Sequence, residues 1–191
     1  FASSGKIIGG SATYAGLSAS YFSHDVKLIS IIGEDFPEGK LAMMRSRGLN
    51  TDGIHTVPGG KSFFWKGKYH NDMNSRDSLE TELNVLAEFD PILPEASRKS
   101  EFLLLGNLTP MVQMKVLEQM KVRPKMVALD TMNFWMDVAW DDLMKVLKHV
   151  DLLTINDEEA RQLSGEYSLV KAAKKIATMG PKTLVIKKGE H

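Results

Sequence analysis

The chain has 191 residues, 43% hydrophobic and 25% charged, proportions that suit a globular domain with a sizeable core. Lys and Arg balance Asp and Glu at 24 each, so no net field draws in nucleic acid or an anionic membrane. The absence of cysteine excludes disulfides and thiolate metal sites and fits a reducing, cytoplasmic setting, and no run of about 18 apolar residues is present to span a membrane as a helix.

In chain order, Gly9-Gly10-Ser11-Ala12-Thr13-Tyr14-Ala15 opens a predicted helix over 12–22. Paired glycines before small residues let free amides approach a ligand closely. The same pattern also serves as a tight turn that packs a helix on a sheet. A strand is expected at 28–32 and a helix at 39–47. Pro58-Gly59-Gly60 is a turn signal, and Ser62-Phe63-Phe64-Trp65-Lys66-Gly67-Lys68-Tyr69 is aromatic with partial period-two alternation. This stretch, with the polar residues that follow to Asp77, reads as exposed antiparallel strands. They form either a flap that covers a substrate or an edge hairpin packed on the body. Residues 91–99 read as a loop and short helix.

Beyond them the pattern becomes regular. Short apolar runs at Phe102–Leu105, 126–129, 152–155 and 183–186 have the near-continuous character of buried parallel strands. Helices are expected between them at 111–120, 140–149, 157–163 and 169–179. Val112, Val116 and Met120 repeat at a spacing of four and give one apolar face, and Asp157 is placed to cap the helix it opens. This alternation predicts a layered α/β sheet with helices on both sides.

Several catalytic signatures are excluded. Gly60-Lys61-Ser62 resembles the end of a phosphate-binding loop, but His55 stands where the first glycine belongs and an aromatic strand follows instead of a helix. There is no G-x-G-x-x-G and no G-x-S-x-G. His24, His55, His70, His149 and His191 have no zinc-ligand spacing.

Four segments, in order, carry a resemblance to the PfkB (ribokinase-like) family of carbohydrate and nucleoside kinases. Gly9, Gly10 and Ala12 fit its N-terminal signature, with Ser23 and Gly33 at later places; Tyr14 stands at the family's asparagine and Gly16 at a usual Ser, Thr or Ala. Asp130-Thr131-Met132-Asn133 is similar to the family's D-x-N-x-R segment, with one extra residue and no arginine; Asp130 either faces the cleft or caps a turn. Asn156-Asp157-Glu158-Glu159 resembles N-x-x-E, and helical spacing of three puts Asn156 and Glu159 on one face. Lys187-Lys188-Gly189 resembles [TK]-x-G.

The resemblance implies a ribokinase-like three-layer α/β/α sandwich with a mostly parallel sheet, one domain over 1–191, and a small β lid at about 58–85. It implies ATP-dependent phosphorylation of a sugar or nucleoside hydroxyl with Mg2+. Gly9, Gly10, Ser11, Tyr14 and Asn133 would line the acceptor pocket, with Trp65, Tyr69 and Arg76 covering it. Asn156, Lys187 and Gly189 would meet the nucleotide, and Glu159 would hold magnesium through water. A homodimer through the lid is a further implication. The family's general base, the last Asp of D-T-x-G-A-G-D, is absent from the 191 residues. The expectation is that it lies beyond His191, that the chain is cut at both ends, and that this chain alone is inactive. The alternative is a non-catalytic sugar- or nucleotide-binding regulatory protein of the same fold.

Overall fold

The computed structural model describes residues 5–70 and 76–189, so the expected lid residues 71–75 and His191 lie outside the described residues. The chain divides into two compact units, Phe1–Pro94 and Glu95–His191, and each has its own core.

In the first unit, helix α1 (Ser11–Ala19) precedes strand β1 (Val26–Gly33), helix α2 (Glu38–Ser46) and strand β2 (Leu49–Val57). β1 and β2 pair in parallel. Leu28, Ile32, Leu41, Met44 and Leu49 form the core beneath them. Strand β2 is absent from the expected elements because its apolar pattern is broken by Asn50, Asp52 and Gly53. Gly53 belongs there because a Cβ would lie 2.6 Å from the Leu28 carbonyl oxygen, next to the register shift in the pair. At Gly16 a Cβ would come within 2.7 Å of Leu28 Cδ2, the end of a side chain that would have to shift to admit it. The close seat of α1 on β1 therefore favours glycine where the family signature has a larger residue. Strands β3 (Phe64–Tyr69) and β4 (Arg76–Glu82) form the expected antiparallel pair, Phe64 opposite Glu82 and Tyr69 opposite Arg76.

The second unit carries strands β5 (Phe102–Leu105), β6 (Met126–Asp130), β7 (Leu152–Asn156) and β8 (Thr183–Lys187) in one parallel sheet, in sequential order. Helices α3 (Pro110–Glu118), α4 (Asn133–Val138), α5 (Trp140–Leu147), α6 (Asp157–Ser164) and α7 (Leu169–Ala177) connect them. Alternate strand residues Leu105, Val127, Leu129, Leu153 and Ile155 pack with Leu143, Val146, Leu147, Leu163 and Ile176 of the helices into one cluster. The opposite alternation carries Phe102, Leu104, Met126 and Val185, which are exposed. On α3 the buried positions are Pro110 and Gln113, and Met114, Val116 and Leu117 meet the core. The apolar face is thus rotated from the expected Val112–Val116–Met120 line. The helix starts at Thr109, whose side chain accepts the Val112 N–H at 3.3 Å, with Pro110 at the first helical position. Helix α4 escaped the sequence pattern because it is only six residues long.

No helix among the described residues is long and apolar enough to cross a membrane.

Candidate functional site

Three features of the first unit carry the expected acceptor residues. Gly10 sits just before α1 with φ 91°, a left-handed conformation that favours glycine, and its carbonyl accepts the Tyr14 N–H at 3.2 Å. Gly9 and Gly10 are exposed, with no atom within 4 Å of where a Cβ would stand. Ser11 is half-buried beside them, and Tyr14 is 61% exposed with its hydroxyl donating weakly to the Ile8 carbonyl at 3.4 Å.

The hairpin is anchored at its base. Ser62 accepts the Gly33 N–H on its Oγ at 2.9 Å, donates its own N–H to Asp35 Oδ1 at 2.7 Å, and receives Asn84 Nδ2 on its carbonyl at 2.9 Å. The Ser62 N–H holds the Asp35 carboxyl below its ordinary pKa. Gly33 is required, because a Cβ would lie 2.4 Å from the Gly60 carbonyl oxygen. Along the hairpin, Trp65 donates its indole N–H to Ser78 Oγ at 3.0 Å and meets Tyr69 edge-on at 6.5 Å. The Trp65 ring lies so close over Gly67 that a Cβ there would be 2.0 Å away. Tyr69 is exposed and Arg76 opens β4 opposite it.

In the second unit the polar residues gather at the carboxyl ends of neighbouring parallel strands, the edge at which open α/β sheets bind ligands. Asn156 ends β7 and caps α6. Its Oδ1 accepts the Glu159 N–H at 2.8 Å while Glu159 Oε2 accepts the Asn156 N–H at 2.7 Å, a reciprocal capping box. The cap is therefore Asn156 rather than Asp157. Asp157 lies in the first turn and pairs with Arg161, which lowers its pKa. Glu159 is buried, at 6% exposure. Lys187 ends β8 directly beside Asn156 in register, and Gly189 follows in the left-handed region at φ 72°.

Asp130 ends β6. It reaches Lys187 Nζ at 3.5 Å. Burial pushes its pKa up, and Lys187 opposes that shift. Next to it the Thr131 hydroxyl is buried without a hydrogen-bond partner among the described residues. Asn133 does not join this group directly: its side-chain amide donates to Gln162 Oε1, and Gln162 in turn donates to Asp137 Oδ1 at 2.7 Å. No group of three His, Cys, Asp or Glu side chains that could ligate a metal occurs among the described residues. Asp130 and Glu159 are the carboxylates on hand. A half-buried carboxylate whose pKa is raised by burial is short of positive charge, a setting that accommodates a water-ligated magnesium ion.

The sequence model of one protein family, described as pfkB family carbohydrate kinase, matches residues 4–191. A cytidine kinase of Thermococcus kodakarensis is 28% identical over 186 residues, covering 95% of this chain and 65% of the relative. Among solved structures, Burkholderia thailandensis nucleoside kinase in complex with inosine matches with a TM-score of 0.69 at 15% identity, over 96% of this chain and 60% of that one. Arabidopsis thaliana ribokinase complexed with ribose and ATP matches with a TM-score of 0.67 at 19% identity, over 93% of this chain and 59% of that one. The chain therefore spans about two thirds or less of the length of these relatives, and the structural likeness establishes a ribokinase-like α/β fold with a mostly parallel sheet.

Proposed function

The chain belongs to the pfkB family of carbohydrate kinases, and from that membership we propose that its protein transfers the γ-phosphoryl group of ATP to a hydroxyl of a sugar or nucleoside. The observation that carries this reading is the gathering of Asp130, Asn156 with Glu159, and Lys187 at the carboxyl ends of β6, β7 and β8.

In this reading the acceptor oxygen attacks the γ-phosphorus as the bond to the bridging oxygen of ADP breaks, and the hydroxyl proton passes to a base. Lys187 offers an ammonium to the phosphate oxygens, and the left-handed turn at Gly189 lets backbone amides approach them. The α6 N-terminus lies beside them, its first turn held in place by the capping box. Magnesium, when bound with the nucleotide, offsets phosphate charge; Glu159 would hold it through water, with Asp130 close by. The exposed Gly9-Gly10 turn, Ser11 and Tyr14 would receive the acceptor. Asn133 would have to exchange its Gln162 bond to join them. Trp65, Tyr69 and Arg76 lie on a hairpin suited to exclude water, which otherwise competes as acceptor. A lid-mediated homodimer and a cytoplasmic setting belong to the same proposal. The cytidine, inosine and ribose of the relatives' names make nucleosides and pentoses the first acceptors to try.

The test is a panel of sugars and nucleosides given to the protein expressed from its complete coding sequence, with ATP and magnesium. Accumulation of ADP and a phosphorylated acceptor for at least one compound is the expected result. Saturable acceptor binding with no ADP formed would favour the non-catalytic binder instead. Neither binding nor turnover would defeat the kinase reading.

A further inference from the structure

Asp130 and Lys187 end strands that are not neighbours, since β7 lies between them. Two interstrand spacings amount to roughly 9–10 Å, so the Lys187 side chain lies across the end of β7 to bring its ammonium within 3.5 Å of Asp130 Oδ1. Asn156, next to Lys187 in register, sits under that crossing. The partners differ in their need for each other. The Asp130 side chain is 29% exposed and that of Lys187 52%. Water can solvate the ammonium elsewhere, whereas Lys187 is the group that offsets the burial of the Asp130 carboxylate.

We propose that Asp130 is a built-in competitor for the nucleotide phosphates: it holds Lys187 in an ion pair that a phosphate must displace, and so sets the affinity of the chain for ATP. This rests on the reading that Lys187 meets phosphate. A triphosphate at the strand ends draws the ammonium away and leaves the half-buried carboxylate facing charge of its own sign. Metal-free nucleotide therefore binds against the cost of stripping Asp130 of its counter-charge. Asp130 acts through Lys187 and is an affinity-setting residue, not one that touches the reacting atoms.

The experiment measures ATP binding to the full chain by titration calorimetry, in EDTA at neutral pH and low salt. Wild type, Asp130→Asn, Lys187→Met and the double variant are compared, with thermal melts as folding controls. Asp130→Asn is expected to bind ATP about three- to tenfold more tightly, and Lys187→Met about tenfold more weakly. The gain from Asp130→Asn must be smaller in the double variant, because without the ammonium only the like-charge repulsion between Asp130 and the phosphates is left to relieve. Asp130→Ser repeats the test should the Asn variant fail to melt cooperatively. Equal or weaker ATP binding by the Asp130 variants, with Lys187→Met still weakened, overturns the competitor role and leaves the nucleotide site standing. Unchanged affinity in Lys187→Met, or no ATP binding by wild type at millimolar concentration, removes the nucleotide site from β8 and the proposal with it.

Discussion

The two units of the chain use the same alternation of strand and helix to different ends. In the second, Leu129, Leu143, Leu153 and Ile155 are 0% exposed and lock four parallel strands against their helices. In the first, Leu28 and Ile32 are 6% and 7% exposed, and two parallel strands share a smaller core. The functional candidates follow this difference. In the second unit they are side chains at strand ends, held by the rigid core below. In the first they are backbone amides and aromatic rings, held by local hydrogen bonds such as those converging on Ser62.

The sharpest way to break this contrast is to excavate each core. Leu153→Ala should cost about 2–5 kcal/mol and Leu28→Ala less, because the looser site already admits solvent. Equal losses in denaturant unfolding would dissolve the distinction.

A second difference is electrostatic. Asp151, just before β7, receives Arg123 through both carboxylate oxygens at 3.1 Å, Lys182 at 2.9 Å and the Val127 N–H at 3.0 Å. Lys182, then the Val127 amide and Arg123, lower its pKa to about 2. Its folded pKa lies below its unfolded value. The stability it contributes is therefore present above about pH 4 and is lost as pH falls toward 2. Asp151→Asn should cost about 1–2 kcal/mol at neutral pH and flatten the acid limb of a stability profile between pH 4 and 2. An unchanged acid limb would show that the three strand starts are not tied by this charge.

The first unit offers a backbone counterpart. Gly33→Ala puts a methyl against the Gly60 carbonyl, at a cost of about 1–3 kcal/mol. It should speed hydrogen exchange at Gly33 and Ser62 before it lowers the melting temperature. Asp35, whose carboxylate anchors Ser62, also has a lowered pKa, so this anchor too weakens as pH falls through it. The smallest expected effect is at the capping box. Asn156→Ala should cost about 1 kcal/mol, and Asn156→Asp should restore most of it. A larger loss of nucleotide affinity than of stability in Asn156→Ala would separate a ligand-facing role from a merely structural one.

The parallel strands were legible because they are short, nearly continuous apolar runs, as Phe102–Leu105 shows by matching to the residue, although Phe102 and Leu104 on one face of that strand are exposed. β2 was not, since its partner and its bulge at Gly53 are tertiary facts that a broken apolar pattern conceals. The N-x-x-E spacing put Asn156 and Glu159 together correctly, but their mutual hydrogen bonds decide that they close the helix end first. Asn133 was chosen by alignment to a motif, and its engagement with Gln162, 29 residues away, has no local signal.

By itself, then, the sequence determined the strand–helix alternation of the second unit apart from α4, the aromatic hairpin, the glycine turn before α1 and the family. These depend on periodicity, turn chemistry and short spacings, all of which act within a few residues. Only the tertiary structure decided that Asp130 and Lys187, 57 residues apart, share one ion pair, that Asp151 gathers two cations, and that Ser62 binds the hairpin to the end of β1. Charge and hydrogen bonding act through space, and the register of the strands sets which distant groups are brought within reach.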